Sequence, residues 1–392
     1  KRQVYSRYSF PYPYPVAISV NGPVGGMEYP MICFNGPRPE EDGTYSARTK
    51  YGLISVIIHE VGHNYYPMIV NSDERQWTWM DEGLNTFVQF LAEQEWEDRY
   101  PSRRGEPHKI VDYMKSTEQV PIMTHSDSIL SFGPNAYAKP ATALNVLRET
   151  VMGRELFDHA FRTYSRRWMF KRPYPADLFR TMEDASAVDL DWFWRGWFYT
   201  TDHCDIALTD VQWFRQQPAS PEAIAELDKR ARAQRPETVS ERRYAATKKR
   251  TAAFPELLDF YNRFDELDVT PQDRAAFREA MQALTPAHRK LRAFDQNLFL
   301  LSFENKGGLV MPIILHVEYT DGSHEEVRIP AEIWRRNEER VNKLLIREKV
   351  IARVVLDPHL ETADADLDNN QWPPQLRPSR FELFKAREAQ QN

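Results

Sequence analysis

Hydrophobic positions recur at helical spacing through the first half of the chain. From about residue 47 to residue 66, apolar residues fall nearly all round the predicted helix, Leu53, Ile57 and Val61 among them. A helix that is apolar on every face is normally buried. Pro67 should end it, because proline cannot continue a helix. Helical patterns also predict helices over 81–98, 107–118, 138–152, 154–168 and 175–184.

Alternating patterns predict strands near both ends of the chain. Residues 16–34 read as extended segments on either side of an Asn21-Gly22-Pro23 turn. Residues 309–329 alternate around Asp321-Gly322, which predicts a hairpin. Residues 350–356 are rich in Val and Ile and predict a further strand.

Composition changes along the chain predict an α+β protein in three parts. Residues 1–210 are rich in aromatic residues and mainly helical, with an edge β-segment, whereas 211–297 are charged, rich in Ala and helical, as in a connector. Residues 298–392 predict a small β-sandwich that ends in a polar tail from about Ala363. The basic run at 229–232 is expected to be a solvated helix face.

Overall composition limits the function. Lys and Arg number 51 against 57 Asp and Glu, a formal net charge of -6. A nucleic-acid binder usually carries a basic face, so this class is not expected. No run of about 18 apolar residues occurs, so no transmembrane helix is predicted in this stretch. The two cysteines, Cys33 and Cys204, lack zinc-finger spacing, and the sequence does not decide whether they pair.

The predicted buried helix carries an H-E-x-x-H motif, His59-Glu60-Val61-Gly62-His63. Residues four apart lie on one face of a helix, so two imidazoles at this spacing can bind the same zinc ion. Glu60 sits about 100° round the helix from His59, where it can reach a water molecule without being a ligand. The alternative is a buried helix with two ordinary histidines.

A catalytic zinc site needs a third protein ligand and one open position. Glu82 follows His63 after 18 residues, at the predicted start of the next helix. Asp81 is the competing ligand, and a carboxylate here could equally serve the helix N-terminus. Asn85, one turn further on, could orient a ligand histidine.

These residues resemble the M1 metallo-aminopeptidases, zinc enzymes of the gluzincin group. The H-E-x-x-H motif with Glu82 after 18 residues matches their zinc signature. Gly25-Gly26-Met27-Glu28 is similar to their G-x-M-E-N motif, and Tyr137-Ala138-Lys139-Pro140 to their Tyr-x-Lys-Gly segment. The resemblance covers about residues 5–205.

The resemblance implies a thermolysin-like catalytic domain with one zinc ion per chain, held by His59, His63 and Glu82. Glu60 would be the general base, which takes a proton from the attacking water and passes it to the leaving amine. Tyr137 would donate its hydroxyl to the oxyanion of the tetrahedral intermediate. The expected activity is zinc-dependent aminopeptidase hydrolysis.

The resemblance also implies how a peptide with a free N-terminus binds. Glu28 would hold the substrate's α-amino group, and Gly25 and Gly26 would let its backbone approach an edge strand. Two positions depart from the family pattern. Tyr29 stands where the family usually has Asn, and Pro140 where it usually has Gly.

Further expectations follow from the resemblance. Family members usually carry an N-terminal β-domain, which would precede Lys1 here. The relatives weakly favour a bacterial, exported or cell-envelope protein. Two other functions remain open: a zinc endopeptidase that shares only the metal helix, and a peptidase-like scaffold that binds partners without catalysis. The sequence decides neither the side-chain preference nor the oligomeric state.

Overall fold

The computed structural model describes residues 2–36, 38–215, 220–288 and 296–374, and it mixes helices with sheets. Its α-helices are α1 Arg2–Tyr8, α2 Ala47–Gly62, α3 Glu82–Gln94, α4 Val111–Met114, α5 Lys139–Val146, α6 Arg154–Arg167, α7 Pro175–Ser186, α8 Asp191–Trp194, α9 Pro221–Gln234, α10 Val239–Tyr244, α11 Arg250–Ala253 and α12 Pro271–Ala283. Its strands are β1 Ile18–Asn21, β2 Gly26–Tyr29, β3 Ile32–Asn35, β4 Ile206–Arg215, β5 Asn297–Asn305, β6 Ile313–Tyr319, β7 His324–Ile329, β8 Arg340–Arg347, β9 Ile351–Leu356 and β10 Gln371–Trp372. Residues 375–392 of the predicted polar tail, and residues 216–219 and 289–295 of the predicted connector, lie outside the described residues.

The extended segment near the N-terminus forms a three-stranded sheet in the order β1–β3–β2. Strand β3 lies between the other two, parallel to β1 and antiparallel to β2. The tight connection is therefore between β2 and β3, at Pro30 and Met31, and not at the predicted Asn21-Gly22-Pro23 turn. Met31 adopts a φ of 65°, the left-handed conformation that such a turn requires. Strand β2 is left at the edge of the sheet.

Helix α2 begins after Ser46, whose side chain accepts a hydrogen bond from Thr49 N at 3.1 Å. It ends at Gly62, four residues before the predicted end, because the backbone hydrogen bonds then leave the helical spacing. Met68 N, for example, donates to the His63 carbonyl five residues earlier. Only residues 58–62 of α2 are buried. The prediction of burial on every face is thus wrong for the first two-thirds of the helix, which is half-exposed.

Aromatic side chains hold α3 in its position next to the H-E-x-x-H motif. Phe87 on α3 meets Phe157 and Phe161 of α6 edge-on, with ring centroids 5.4 and 5.6 Å apart. All three rings are fully buried. Removing such a ring costs about 3–5 kcal/mol, so this contact holds α3 firmly in place. The aromatic segment at 192–198 also packs inward, as its composition indicates: Trp194 stacks on Phe179 at 4.5 Å.

Two further sheets follow, in the orders β10–β9–β6–β7 and β4–β5–β8. The predicted hairpin is confirmed as β6 and β7, with Val317 opposite Glu325. Strand β4 runs through the boundary that the sequence predicts at residue 210. Cys33 and Cys204 are both buried and form no disulfide with each other.

The chain divides into two compact units. The first comprises the described parts of Lys1–Val211, Leu301–Lys343 and Ile351–Asn392, and the second those of Gln212–Leu300 and Leu344–Val350. Within the described part of the second unit, helices α9, α10 and α12 contain no buried residue. The basic run at 229–232 lies on an exposed face, where Lys229 pairs with Asp268 at 2.6 Å. The three-part division of the sequence stays a prediction.

Candidate metal centre

Helices α2 and α3 bring the three predicted ligands together. His59 lies in the last turn of α2, His63 caps the C-terminus of that helix one turn later, and Glu82 is the first residue of α3. The Glu82 Oε2 atom lies 3.0 Å from His59 Nε2 and 3.4 Å from His63 Nε2. One ligand atom from each residue falls within 4.8 Å of the other two, close enough for all three to bind a single ion.

The outer nitrogens of both imidazoles are held by acceptors. His59 Nδ1 lies 2.8 Å from Gln89 Oε1, and His63 Nδ1 lies 2.9 Å from the Tyr66 carbonyl. Gln89 Nε2 donates to Glu93 at 2.7 Å, which fixes the amide so that its oxygen faces His59. Both Nδ1 atoms therefore carry a hydrogen, so Nε2 is the nitrogen through which each imidazole can bind an ion.

This arrangement fits zinc. Two nitrogen lone pairs and a carboxylate oxygen converge on one point, which is unfavourable unless a cation or a proton lies between them. Two histidines and a glutamate form a donor set typical of catalytic zinc, and all three side chains line a cleft. His59, His63 and Glu82 are thus the residues that would hold the ion.

Asp81, the competing ligand, lies behind His63. Its Oδ1 is 2.9 Å from His63 Nδ1, on the side of the ring away from the converging donors. Burial by itself would lower the pKa of His63, but the carboxylates of Asp81 and Glu82 outweigh it and raise that pKa. Asp81 therefore pairs with the outer nitrogen of His63, and Glu82 is the third donor toward the ion.

Asn85 supports the helix backbone and not an imidazole. Its Nδ2 donates to the His59 carbonyl at 2.9 Å, and its Oδ1 accepts from the Tyr5 hydroxyl at 2.8 Å. A Cβ at Gly62 would overlap both Asn85 Oδ1 and the Tyr5 hydroxyl, so this contact needs glycine. The ring-orienting role considered for Asn85 falls to Gln89, which the sequence analysis missed.

Glu60 lies in the cleft with its carboxylate against the backbone of β2. Its side chain is buried, and burial raises its pKa to about 7, with the charge of Glu28 adding to the effect and His63 opposing it. A carboxyl group whose pKa is near neutral can both accept and return a proton.

Tyr137 comes from a π-helical turn, Gly133–Ala138, that precedes α5. Its hydroxyl donates to Glu82 Oε1 at 2.7 Å, and its ring stacks on His59 with centroids 5.8 Å apart. Burial raises the pKa of Tyr137, so the hydroxyl keeps its proton at neutral pH. The Arg104 guanidinium lies 4.3 Å above the same ring, a cation–π contact that the sequence did not suggest.

Strand β2 forms the opposite wall of the cleft, which has a volume of about 310 Å³. Glu28 lies there, and its carboxylate falls within 4.8 Å of ligand atoms of Glu60 and His63. Gly26 also lines the cleft, whereas Gly25 does not, and a Cβ at Gly25 would meet no atom within 4 Å. Tyr29 is exposed and meets Phe34 edge-on at 6.0 Å.

Pro140, the second departure from the family pattern, packs against the start of α3. A Cβ at Gly83 would lie only 2.6 Å from Pro140 Cγ. The proline ring therefore fills the space that glycine leaves beside Glu82. Pro140 is the second residue of α5, which continues directly from the π-helical turn Gly133–Ala138.

The sequence of this part of the chain identifies its family. Residues 2–197, half of the chain, match the sequence model of the Peptidase family M1 domain. The chain belongs to peptidase family M1. The match takes in α1, the β1–β3–β2 sheet and the helices that carry the converging donors.

Curated relatives of this M1 chain are aminopeptidases by name. Glutamyl aminopeptidase of Homo sapiens is 26% identical over 191 residues, which are 46% of this chain and 20% of that protein. Aminopeptidase N of Lactococcus lactis subsp. lactis is 22% identical over 200 residues, 47% of this chain and 23% of that protein. Leucine aminopeptidase 2 of Emericella nidulans is 26% identical over 234 residues, which are 51% of this chain and 35% of that protein. The M1 chain thus spans between about a fifth and a third of these relatives' length.

Among solved structures, this M1 chain is similar to aminopeptidase A of Legionella pneumophila in complex with aspartic acid. The superposition covers 95% of this chain and 34% of the Legionella chain. The TM-score is 0.52 at 11% sequence identity, so the likeness concerns the fold. Along the described stretches of the chain, no helix combines the length and the apolar character needed to cross a bilayer.

Proposed function

We propose that this M1 chain binds one zinc ion at His59, His63 and Glu82 and removes N-terminal residues from peptides. The converging donors and the outer hydrogen bonds of both imidazoles support the metal. The family membership and the aminopeptidase names of its relatives support the reaction.

The observation that carries the exopeptidase part is the position of Glu28. Its carboxylate lies within 4.8 Å of His63 and Glu60, on the wall facing the metal donors. In a peptide the terminal nitrogen is two bonds from its own carbonyl carbon, about 2.5 Å away. When a terminal ammonium pairs with Glu28, the first peptide carbonyl therefore falls at the metal donors. The pairing with Glu28 therefore directs cleavage to the first peptide bond, so that one residue is removed from the N-terminus.

Zinc bound there acts as a Lewis acid on the peptide carbonyl and acidifies water. Glu60 accepts the proton of the attacking water and delivers it to the leaving amine, since its pKa of about 7 suits both steps. Tyr137, whose hydroxyl already donates beside the metal donors, turns that hydrogen bond to the oxygen on which negative charge develops.

The finer architecture is part of the proposal. Residues 1–210 would form a thermolysin-like catalytic domain, 211–297 a helical connector, and 298–392 a β-sandwich with a polar tail. The helices around the cleft, the exposed helices α9–α12 and the sheets that contain β5 to β10 support this assignment.

A pair of substrates tests the proposed activity. The zinc-loaded protein is assayed on leucine arylamide and on its N-acetyl derivative, together with an internally quenched peptide blocked at both ends. We expect hydrolysis of the free-amine substrate alone. Equal rates on the acetylated substrate would overturn the role of Glu28, and cleavage of the blocked peptide would favour an endopeptidase. No hydrolysis by protein with a full complement of zinc would favour the scaffold.

A further inference from the structure

The path of a bound peptide beyond the metal donors follows from β2 and α2. Glu28 and Gly26 are two residues apart on β2, so they share a face and lie about 6.6 Å apart. Glu28 lies near His63, whereas a Cβ at Gly26 would lie 2.8 Å from Val56 Cγ2, two helical turns earlier in α2. A peptide with its amino group at Glu28 therefore runs past Gly26 toward the N-terminal half of α2.

A second cavity opens at this point. It has a volume of about 790 Å³ and lies along the first half of α2, opposite the segment that follows α3. It shares Gly52, Ser55 and Arg103 with the wall of the cleft, so the two spaces adjoin each other. The part of a peptide that follows the cleaved bond has room there, because sites for small ligands typically occupy about 300–1,000 Å³.

The charged residues that line this second cavity are arginines. Arg48 comes from the first turn of α2 and Arg103 from the segment after α3, and no Asp or Glu lines the cavity. Arg104, the next residue, lies in the adjoining cleft above Tyr137. In the described ranges of the chain, none of these three arginines forms an ion pair with a carboxylate.

Three of the nearby carboxylates are already engaged by other groups. Glu97, behind the cavity wall, accepts a hydrogen bond from Tyr51 and pairs with Lys50 at 3.4 Å. In the cleft, Glu93 accepts from Gln89, and Glu82 lies between the histidines and Tyr137. Arg104 feels the charges of Glu82 and Glu93 at longer range, but burial is the largest influence and lowers its pKa. The arginine side of the cavity thus lacks an anion.

We propose that Arg103 binds a carboxylate on the leaving part of the substrate, with Arg48 adding positive charge from further along α2, so that this protein prefers short peptides with an anionic group one or two residues after the cleaved bond. This inference rests on the proposed aminopeptidase function. The carboxylate has two possible sources, the C-terminus of a dipeptide or tripeptide and an acidic side chain after the cleaved bond.

Matched substrates distinguish these sources. The zinc-loaded protein is assayed on Leu-Ala and Leu-Ala-amide, which differ in the terminal carboxylate, and on Leu-Glu-amide and Leu-Gln-amide, which differ in the side chain. Leucine arylamide, which carries no anionic leaving part, reports the proposed function by itself. We expect kcat/KM to favour the anionic member of at least one pair about fivefold, the upper range for an exposed ion pair.

The variant Arg48→Gln with Arg103→Gln removes both cations. We expect it to lose the preference for the anionic member, measured as the ratio of kcat/KM within each pair, because Arg103 also lines the cleft and a change common to both members cancels in that ratio. Arg75→Gln is the matched control, since Arg75 is an exposed arginine away from the cleft that pairs with Asp127 at 3.2 Å. It should leave the preference unchanged.

The outcomes separate the two proposals. Equal kcat/KM within both pairs, with leucine arylamide still cleaved, would overturn the carboxylate site and leave the aminopeptidase standing. A preference that survives in the double variant would overturn the arginine assignment. If the zinc-loaded parent protein cleaves none of the free-amine substrates, both proposals are overturned. A true ionic preference should also shrink as salt rises from about 0.05 M to about 0.5 M.

Discussion

The backbone of Gly26 lies directly against the carboxylate of Glu60. A Cβ at Gly26 would overlap Glu60 Oε1 and would lie 2.8 Å from Val56 Cγ2. Strand β2 can therefore approach α2 at this point only because the residue has no side chain. The approach places Glu28 within reach of the metal donors while Glu60 keeps its position in the cleft.

This contact predicts that Gly26→Ala impairs turnover. The added methyl group should displace the Glu60 carboxylate from its position, and a misplacement of about 1 Å in a catalytic group can lower kcat ~10²-fold. Zinc content should not change. Gly22→Ala is the control, because a Cβ there would meet nothing within 4 Å. Equal kcat values in the two variants would contradict the prediction.

Glu60→Gln is predicted to retain zinc and to lose turnover. Glutamine keeps the shape of the side chain, but it cannot accept the proton, so kcat should fall ~10²-fold or more. Metal content by atomic absorption and kcat on leucine arylamide are measured on the same preparation. If the zinc-loaded variant turns over normally, Glu60 is not the base.

Tyr137→Phe is predicted to lower kcat ~10²–10³-fold with little change in KM. The ring and its contact with Arg104 stay, while the hydroxyl that donates beside the metal donors is lost. The comparison is Tyr199→Phe, an exposed tyrosine that should behave like the parent protein. A rise in KM with kcat unchanged would assign Tyr137 to substrate binding.

Gln89→Ala is predicted to weaken zinc binding by about 10–100-fold, because His59 loses the acceptor that fixes its ring. Competition with a chelator measures this without any assay of activity. Gln94→Ala on the same helix is the control, since Gln94 bonds to Ser102 away from the donors. Identical zinc affinities in the two variants would remove Gln89 from the metal centre.

Glu28→Gln is predicted to reduce kcat/KM for free-amine substrates about 10–100-fold, the loss expected for a hydrogen bond between charged groups. Rates on N-acetylated substrates, which carry no ammonium, should not fall further. Glu41→Gln, a change in an exposed residue, controls for charge. A proportional loss on both substrate types would show that Glu28 acts on something other than the amine.

Several elements of the fold are predictable from local pattern. The spacing of apolar residues predicts helices over 154–168 and 175–184, and α6 and α7 lie there. The Asp321-Gly322 signal predicts the β6–β7 hairpin, because such turns are specified by two residues. The end of α2 is not predictable in this way. After Gly62 the backbone hydrogen bonds change from the helical spacing to bonds between residues three and five apart, well before Pro67 is reached.

The metal donors are the part of the site that the sequence by itself determined. Two histidines four residues apart must share a helix face, and the motif resemblance then indicated Glu82, Glu28 and Tyr137. Gln89 left a weaker signal: it follows Glu82 by seven residues, which places it within about 20° of Glu82 round α3.

Only the tertiary structure decided what faces these donors. The insertion of β3 between β1 and β2, the approach of Gly26 to Glu60, and the place of Arg104 above Tyr137 all depend on contacts between elements distant in sequence. The same holds for the cavity that Arg48 and Arg103 line. Helical spacing fixes which residues share a face, but the packing of one element on another fixes what that face meets.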